Sequence, residues 1–270
     1  MYSRTTRVVL AIGVTLSLAS AAAVAADEDE GGDKSQSQAC AGLPSHHQLR
    51  TALESARAQS NGGFNLDMWA AVVNRDGVVC EVAFTGSNRG SQWPGSRVIS
   101  AQKANTANSF SLPGLALSTA NLYAAVQPGG TLYGLQHSNP VDTAVAYHGP
   151  ASNFGKEDDP MVGHRIGGVN VFGGGLALYN SKGGLIGGIG VSGDTSCADH
   201  NISWRTRHAL DLDFVPLGVS THSDDNINYQ GLVPVPSLAH DFSHPICKIA
   251  GVDAVSAISA ALPAVQKVAH

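Results

Sequence analysis

The chain has 270 residues, 43% hydrophobic and 14% charged, with a formal net charge of -5. That much apolar sequence and so little charge exclude a chain disordered throughout. The length suffices for one large domain or two small ones, and the acidic balance argues against a nucleic-acid partner, which needs clustered Lys and Arg.

Residues 1–26 read as a secretory signal peptide. Arg4 and Arg7 form a positive start, Val8 to Ala23 carries no charge, and Ala23-Val24-Ala25-Ala26 supplies small residues for cleavage. Losing Arg4 and Arg7 from a chain of charge -5 leaves -7. The expected location is periplasmic or secreted, with no membrane contact after cleavage. Four cysteines, Cys40, Cys80, Cys197 and Cys247, agree with an oxidising compartment and read as two disulfides. Four cysteines permit three pairings, and no C-x-x-C spacing favours zinc.

Residues 27–39 are acidic and Gly/Ser-rich, an expected disordered leader. Ser45 is placed to cap a helix running to about Ser60, with Leu49, Ala52, Leu53 and Ala56 on one face. Met68–Val73 and Val78–Phe84 form a predicted hairpin around Asn74-Arg75-Asp76-Gly77. A helix is expected over Ser96–Ser109 and a second helix or helical turn over Leu115–Val126. Residues 127–165 are rich in Gly, Pro, Asn and His without periodicity, and read as a functional insertion or oligomer contact. Ile166–Phe172, Leu176–Tyr179 and Gly184–Val191 read as three strands, Thr195–Leu212 as a helix, and Asp253–Val268 as a closing amphipathic helix after a polar loop. Tight turns make such strands antiparallel. The expected fold is α/β, with a five-stranded antiparallel sheet and helices on its faces. One domain spans 40–212, and a C-terminal loop and helix, 213–270, pack on it.

Three stretches carry a family resemblance. They are Met68-Trp69-Ala70-Ala71-Val72-Val73-Asn74-Arg75-Asp76-Gly77, the helix Ser100–Phe110 with its Lys103-Ala104-Asn105-Thr106-Ala107 core, and Phe172–Leu178 followed by Ile186–Asp194. Together, over about Cys40 to Leu212, they resemble the GlcG/HbpS-type haem-binding family. The resemblance implies a profilin-like α/β/α fold, haem or a related flat anionic ligand, export, and homo-oligomers packed through helices.

Candidate ligand-binding residues follow from these motifs. Gly174 and Gly175 lack side chains where a flat ligand could approach the backbone, although a simple strand turn explains them as well. Gly193 and Asp194 lie at a strand-to-helix junction whose free N–H groups suit a carboxylate, or whose capping residues suit the helix itself. His200 is a candidate metal or haem ligand, set against the commoner hydrogen-bonded histidine. Lys103 and Thr106 share a helix face and are placed for an acidic ligand, or for solvent and the edge of the core. Arg205 suits carboxylate recognition. His148 and His164, in the insertion, show no helical i, i+4 spacing. Asn201-Ile202-Ser203 matches a glycosylation sequon.

Two function classes remain: an exported, non-catalytic binder, and an enzyme acting on a small organic acid with Lys103 and His200 as acid and base. The positions of the cysteines favour Cys40–Cys80, fastening the start of the domain to the sheet, and Cys197–Cys247, pinning the C-terminal loop beside the junction helix.

Overall fold

The computed structural model describes residues 38–230, 242–248 and 255–268. The expected signal peptide and almost all of the acidic leader lie outside these residues.

Helix α1 (His46–Arg57) starts at Ser45 with a reciprocal cap: the Gln48 N–H donates to Ser45 Oγ, and the Ser45 N–H donates to Gln48 Oε1 at 2.9 Å. Strands β1 (Trp69–Asn74) and β2 (Val79–Phe84) follow as the expected hairpin. Asn74 Oδ1 accepts from the Asp76 and Val78 N–H groups, and Gly77 supplies the left-handed residue at φ +76°. Helix α2 (Ser96–Phe110) crosses next. Two one-turn helices, α3 (Leu135–Ser138) and α4 (Thr143–Ala146), precede β3 (Gly175–Tyr179) and β4 (Leu185–Ser192). Asn180 closes that second hairpin as Asn74 closes the first, accepting from Lys182 and Gly184. Helix α5 (Ser196–Ala209) and the short α6 (Val255–Ala260) complete the order.

The sheet is antiparallel, in the order β2-β1-β4-β3. Strand alternation divides the core into two layers. Ala70 and Val72 face α1 and α5 with Leu49, Leu53 and Trp204, whereas Trp69, Ala71 and Val73 face α2 with Val98, Ala101 and Ala104. Helix α2 sits unusually close to β4. A Cβ on Gly188 would overlap the Ala104 carbonyl, and one on Gly190 would overlap the Ser100 carbonyl. Val73 pairs with Gly188 and Ala71 with Gly190, so these glycines share one face of the sheet.

Two corrections follow, to the sheet and to the last helix, with the placement of two further segments. The sheet has four strands, not five, because Ile166–Phe172 is not a strand. Gly167 and Gly168 take φ of +63° and +84°, and the backbone there bonds to side chains of α2: Asn105 Nδ2 to the Gly168 carbonyl and the Asn170 N–H to Thr106 Oγ1. Leu115–Val126 is turns with one 3-10 turn at Ala124–Val126, because its backbone pairs outward, Ala116 N–H to Leu217 O and Thr119 N–H to Gly175 O. The 127–165 insertion is built into the core through buried Ala146, Met161 and the Arg97–Asp159 ion pair. The last helix ends at Ala260 rather than Val268, and the Trp204 indole N–H holds the Pro263 carbonyl beyond it; its expected first residues, 253 and 254, are not among those described.

Candidate functional site

Helix α5 begins where β4 ends, and its first two turns gather most of the predicted residues. Thr195 caps it, its hydroxyl accepting from the Ala198 N–H. Asp194 accepts from the Phe64 and Leu66 N–H groups at 2.9 and 3.2 Å, tying the loop after α1 to the start of α5. Asp199 Oδ1 accepts from the Asp194 N–H at 2.8 Å. The junction expected to receive a ligand carboxylate thus receives the chain's own carboxylates. A Cβ on Gly193 would overlap the Asp67 carbonyl, so that glycine serves close packing.

Lys103 is neither solvated nor open to a ligand. Its Nζ lies 2.7 Å from Asp199 Oδ2 and 2.9 Å from the Val191 carbonyl, with no exposure. Burial lowers the lysine pKa against the opposing pull of Asp199, and burial raises Asp199 to about 7 against the opposing pull of Lys103. Gly174 lies against the Val191 carbonyl, 3.3 Å from Nζ by the position its Cβ would take, and Gly175 lies against Thr119 and the Lys103 carbonyl. The space these two glycines leave is filled by the protein itself. Thr106 donates to the Gln102 carbonyl of its own helix and is buried. Arg205 donates to the Ser60 carbonyl at 2.7 Å and to Asn61 Oδ1, which ties α5 to the loop after α1. Asn201 of the sequon is buried and donates to the Asn61 carbonyl, which withdraws it from modification.

His200 is fully buried, and among the described residues neither ring nitrogen makes a hydrogen bond of good geometry, the Asn226 side chain being a polar neighbour. Burial, then Arg207 and His244, push its pKa down to about 3, against a small opposing pull from Asn226, so the imidazole is neutral. Trp204 packs 5.9 Å away between ring centroids. A buried imidazole with neither nitrogen in a well-formed hydrogen bond is uncommon.

The C-terminal segment closes over this helix face. The Cys197–Cys247 disulfide joins it to the first turn of α5, and Cys40–Cys80 fastens the start of the chain to β2. His244 Nε2 lies 2.8 Å from Ser196 Oγ, the Asn121 amide reaches the Asn226 carbonyl, and Ser259 Oγ donates to Asn201 Oδ1. Arg207 forms a two-pronged pair with Asp225 at 2.7 and 2.8 Å and donates to the Ala177 carbonyl. Sequence reasoning missed Asp225 and Asp159. Their only signal was indirect: Arg207 and Arg97 fall on helix faces that must be buried, and a buried guanidinium requires an acid.

Near this helix, a polar cleft of about 450 Å³ opens beside the loop after α1, lined by Arg57, Asn61, Asn65 and Asp194. Asp194 is the one predicted site residue on its wall. No described helix is long and apolar enough to cross a membrane.

None of the curated proteins matches the chain. Among solved structures, the chain is similar to one described as the crystal structure of a PduOC:heme complex, with 24% identity and a TM-score of 0.43 over 62% of this chain and 91% of that one. It is also similar to Klebsiella pneumoniae protein ORFY, a DUF336 protein, with 24% identity and a TM-score of 0.41 over 61% and 86%. The family described as haem degrading protein HbpS-like matches residues 45–206, and the chain belongs to that HbpS-like family.

Proposed function

We propose that this chain is an exported protein that binds haem or a related flat anionic ligand without turning it over. The observation that carries the reading is His200, a neutral interior imidazole whose ring nitrogens make no well-formed hydrogen bond among the described residues. Neutral imidazole is the form that ligates iron, and family membership points to haem. The donor chemistry therefore fits haem, whereas the space does not, because the ring is fully buried. Access requires the cover over α5 to open. Two disulfides support export into an oxidising compartment. The same reading carries homo-oligomers, supported by the exposed aromatics Trp93, Tyr133 and Tyr147. The small-acid enzyme reading is weaker, because its acid and base, Lys103 and His200, are both closed to solvent.

Titration of the purified mature protein with haemin tests this. A saturable Soret shift is expected, with His200→Ala changing the spectrum or the affinity and His148→Ala changing less. No Soret shift removes the haem reading. Equal affinity and an unchanged spectrum for His200→Ala remove that residue from the site. Loss of the Soret band with an added reductant and oxygen, yielding open-chain tetrapyrrole, replaces a binder with a degrading enzyme.

A further inference from the structure

The insertion brings together two histidines that stand sixteen residues apart in sequence. The rings of His148 and His164 lie 6.2 Å apart between centroids, at 64° to one another. Both are exposed, and both line a cleft of about 440 Å³ that also presents Glu157 and Asp158. We propose that this pair is a binding site for a divalent first-row transition-metal cation, completed by water.

Ligand geometry supports the spacing. A metal–nitrogen bond of about 2.0–2.1 Å places the cation roughly 3.2 Å from each imidazole centroid. Two imidazoles on one cation then stand roughly 5.2 Å apart at a tetrahedral angle and roughly 6.4 Å apart when opposed. The observed 6.2 Å corresponds to an angle of roughly 150° at the cation, so the rings must rotate inward to reach a tetrahedral site.

The backbone holds the pair in place. His164 sits against the edge of β2, where its carbonyl accepts from the Val79 N–H and the Gly163 N–H donates to the Val79 carbonyl, both at 2.8 Å. His148 follows α4, its N–H donating to the Val145 carbonyl. One buried ion pair ties the two arms. Arg97 donates to the Ala146 carbonyl at 2.8 Å on the His148 side, and to Asp159, which accepts from the Met161 N–H at 2.9 Å on the His164 side. A site on such a frame needs only side-chain rotation to close on a cation. Two nitrogen donors favour zinc, cobalt, nickel or copper over calcium and magnesium, which prefer oxygen.

The test is titration of the full mature chain, freed of metal by chelator, with Co²⁺, read by visible absorption, and with Zn²⁺, read by calorimetry. One equivalent of either metal is expected to bind. His148→Ala and His164→Ala should each weaken binding about tenfold or more, and the double variant should abolish it. Both side chains are exposed, so a circular-dichroism spectrum and melting temperature equal to those of the parent are expected to accompany the loss. Overturning results are the absence of saturable binding, unchanged binding in both variants, or binding that survives in them and disappears in a His46→Ala/His47→Ala control. Equal binding of Mg²⁺ also overturns the assignment. None of these readouts depends on haem.

Discussion

Lys103 on α2 and Asp199 on α5 meet at 2.7 Å through the sheet edge, both closed to solvent. Their carriers lie on opposite faces of the sheet, so this contact joins the two helical layers. It passes where Gly174 leaves room beside β4, since a Cβ there would press on both Asp199 and the Lys103 ammonium. The Lys-Ala-x-Thr helix and the Gly-rich hairpin are thereby two halves of one interior joint.

Breaking that joint on one side should be costly. Lys103→Ala leaves a buried carboxylate without its partner, and a loss of about 3–5 kcal/mol is expected in urea unfolding. The double variant Lys103→Met/Asp199→Leu should lose much less, because no unpaired charge remains. Equal losses in both proteins would mean that the pair contributes through packing alone.

His200 should make the protein acid-sensitive. The unfolded imidazole takes up a proton near its ordinary 6.5, while the folded one resists protonation until about 3. The folded pKa is depressed, so stability is full above about 6.5 and falls as pH drops towards 3, by on the order of 5 kcal/mol in all. Glu81 and Asp199, each raised to about 7 chiefly by burial, contribute with the opposite sign, losing stability as pH rises towards 7. They are present in both proteins when the parent is compared with His200→Leu. The parent is expected to lose stability relative to His200→Leu between pH 6.5 and 4, measured by denaturant midpoints. A constant difference would show that His200 is protonated in the fold.

Local signals were legible and remote pairings were not. Ser45, Asn74 with Gly77, and Asn180 with Gly183 announce a cap and two hairpins because each acts within four residues. The same logic failed at Ile166–Phe172. Its β-branched residues suit a strand, but Gly167 and Gly168 turn it onto α2, a contact no local pattern encodes. The structure brings Lys103 beside Gly174 and Gly175, and His200 beside Gly173. Their burial is not legible in the sequence, because it depends on contacts between elements far apart in the chain. His148 and His164 escaped the helical-spacing search because a turn of loop, not of helix, sets them side by side.

The glycines of β4 carry a direct prediction. Gly190 lies under α2 so closely that an added Cβ would overlap the Ser100 carbonyl and approach Lys103 Cβ at 2.9 Å. Backbone cannot yield as a flexible side chain can, so Gly190→Ala should destabilise by about 3 kcal/mol, at the upper end for overpacking. Gly95→Ala, where a Cβ meets nothing within 4 Å, should be nearly neutral. A similar melting temperature for both variants would contradict the close seating of α2.

The Cys197–Cys247 disulfide should control access to His200. It spans 50 residues in sequence, so its removal is expected to cost about 4 kcal/mol by loop-closure entropy. Its second effect is local. Without the bridge, the stretch around His244 is held to α5 by Ser196–His244, a neutral hydrogen bond that contributes only about 1 kcal/mol, while Arg207–Asp225 and Ser259–Asn201 still hold the residues on either side of it. The Cys197→Ser/Cys247→Ser variant should therefore open this face before it unfolds globally. Diethyl pyrocarbonate should modify His200 faster in that variant than in the parent, read by peptide mass mapping, while exposed His148 should react equally in both. Equal rates at His200, with the expected loss of stability, would show that the bridge stabilises the fold without gating the buried imidazole.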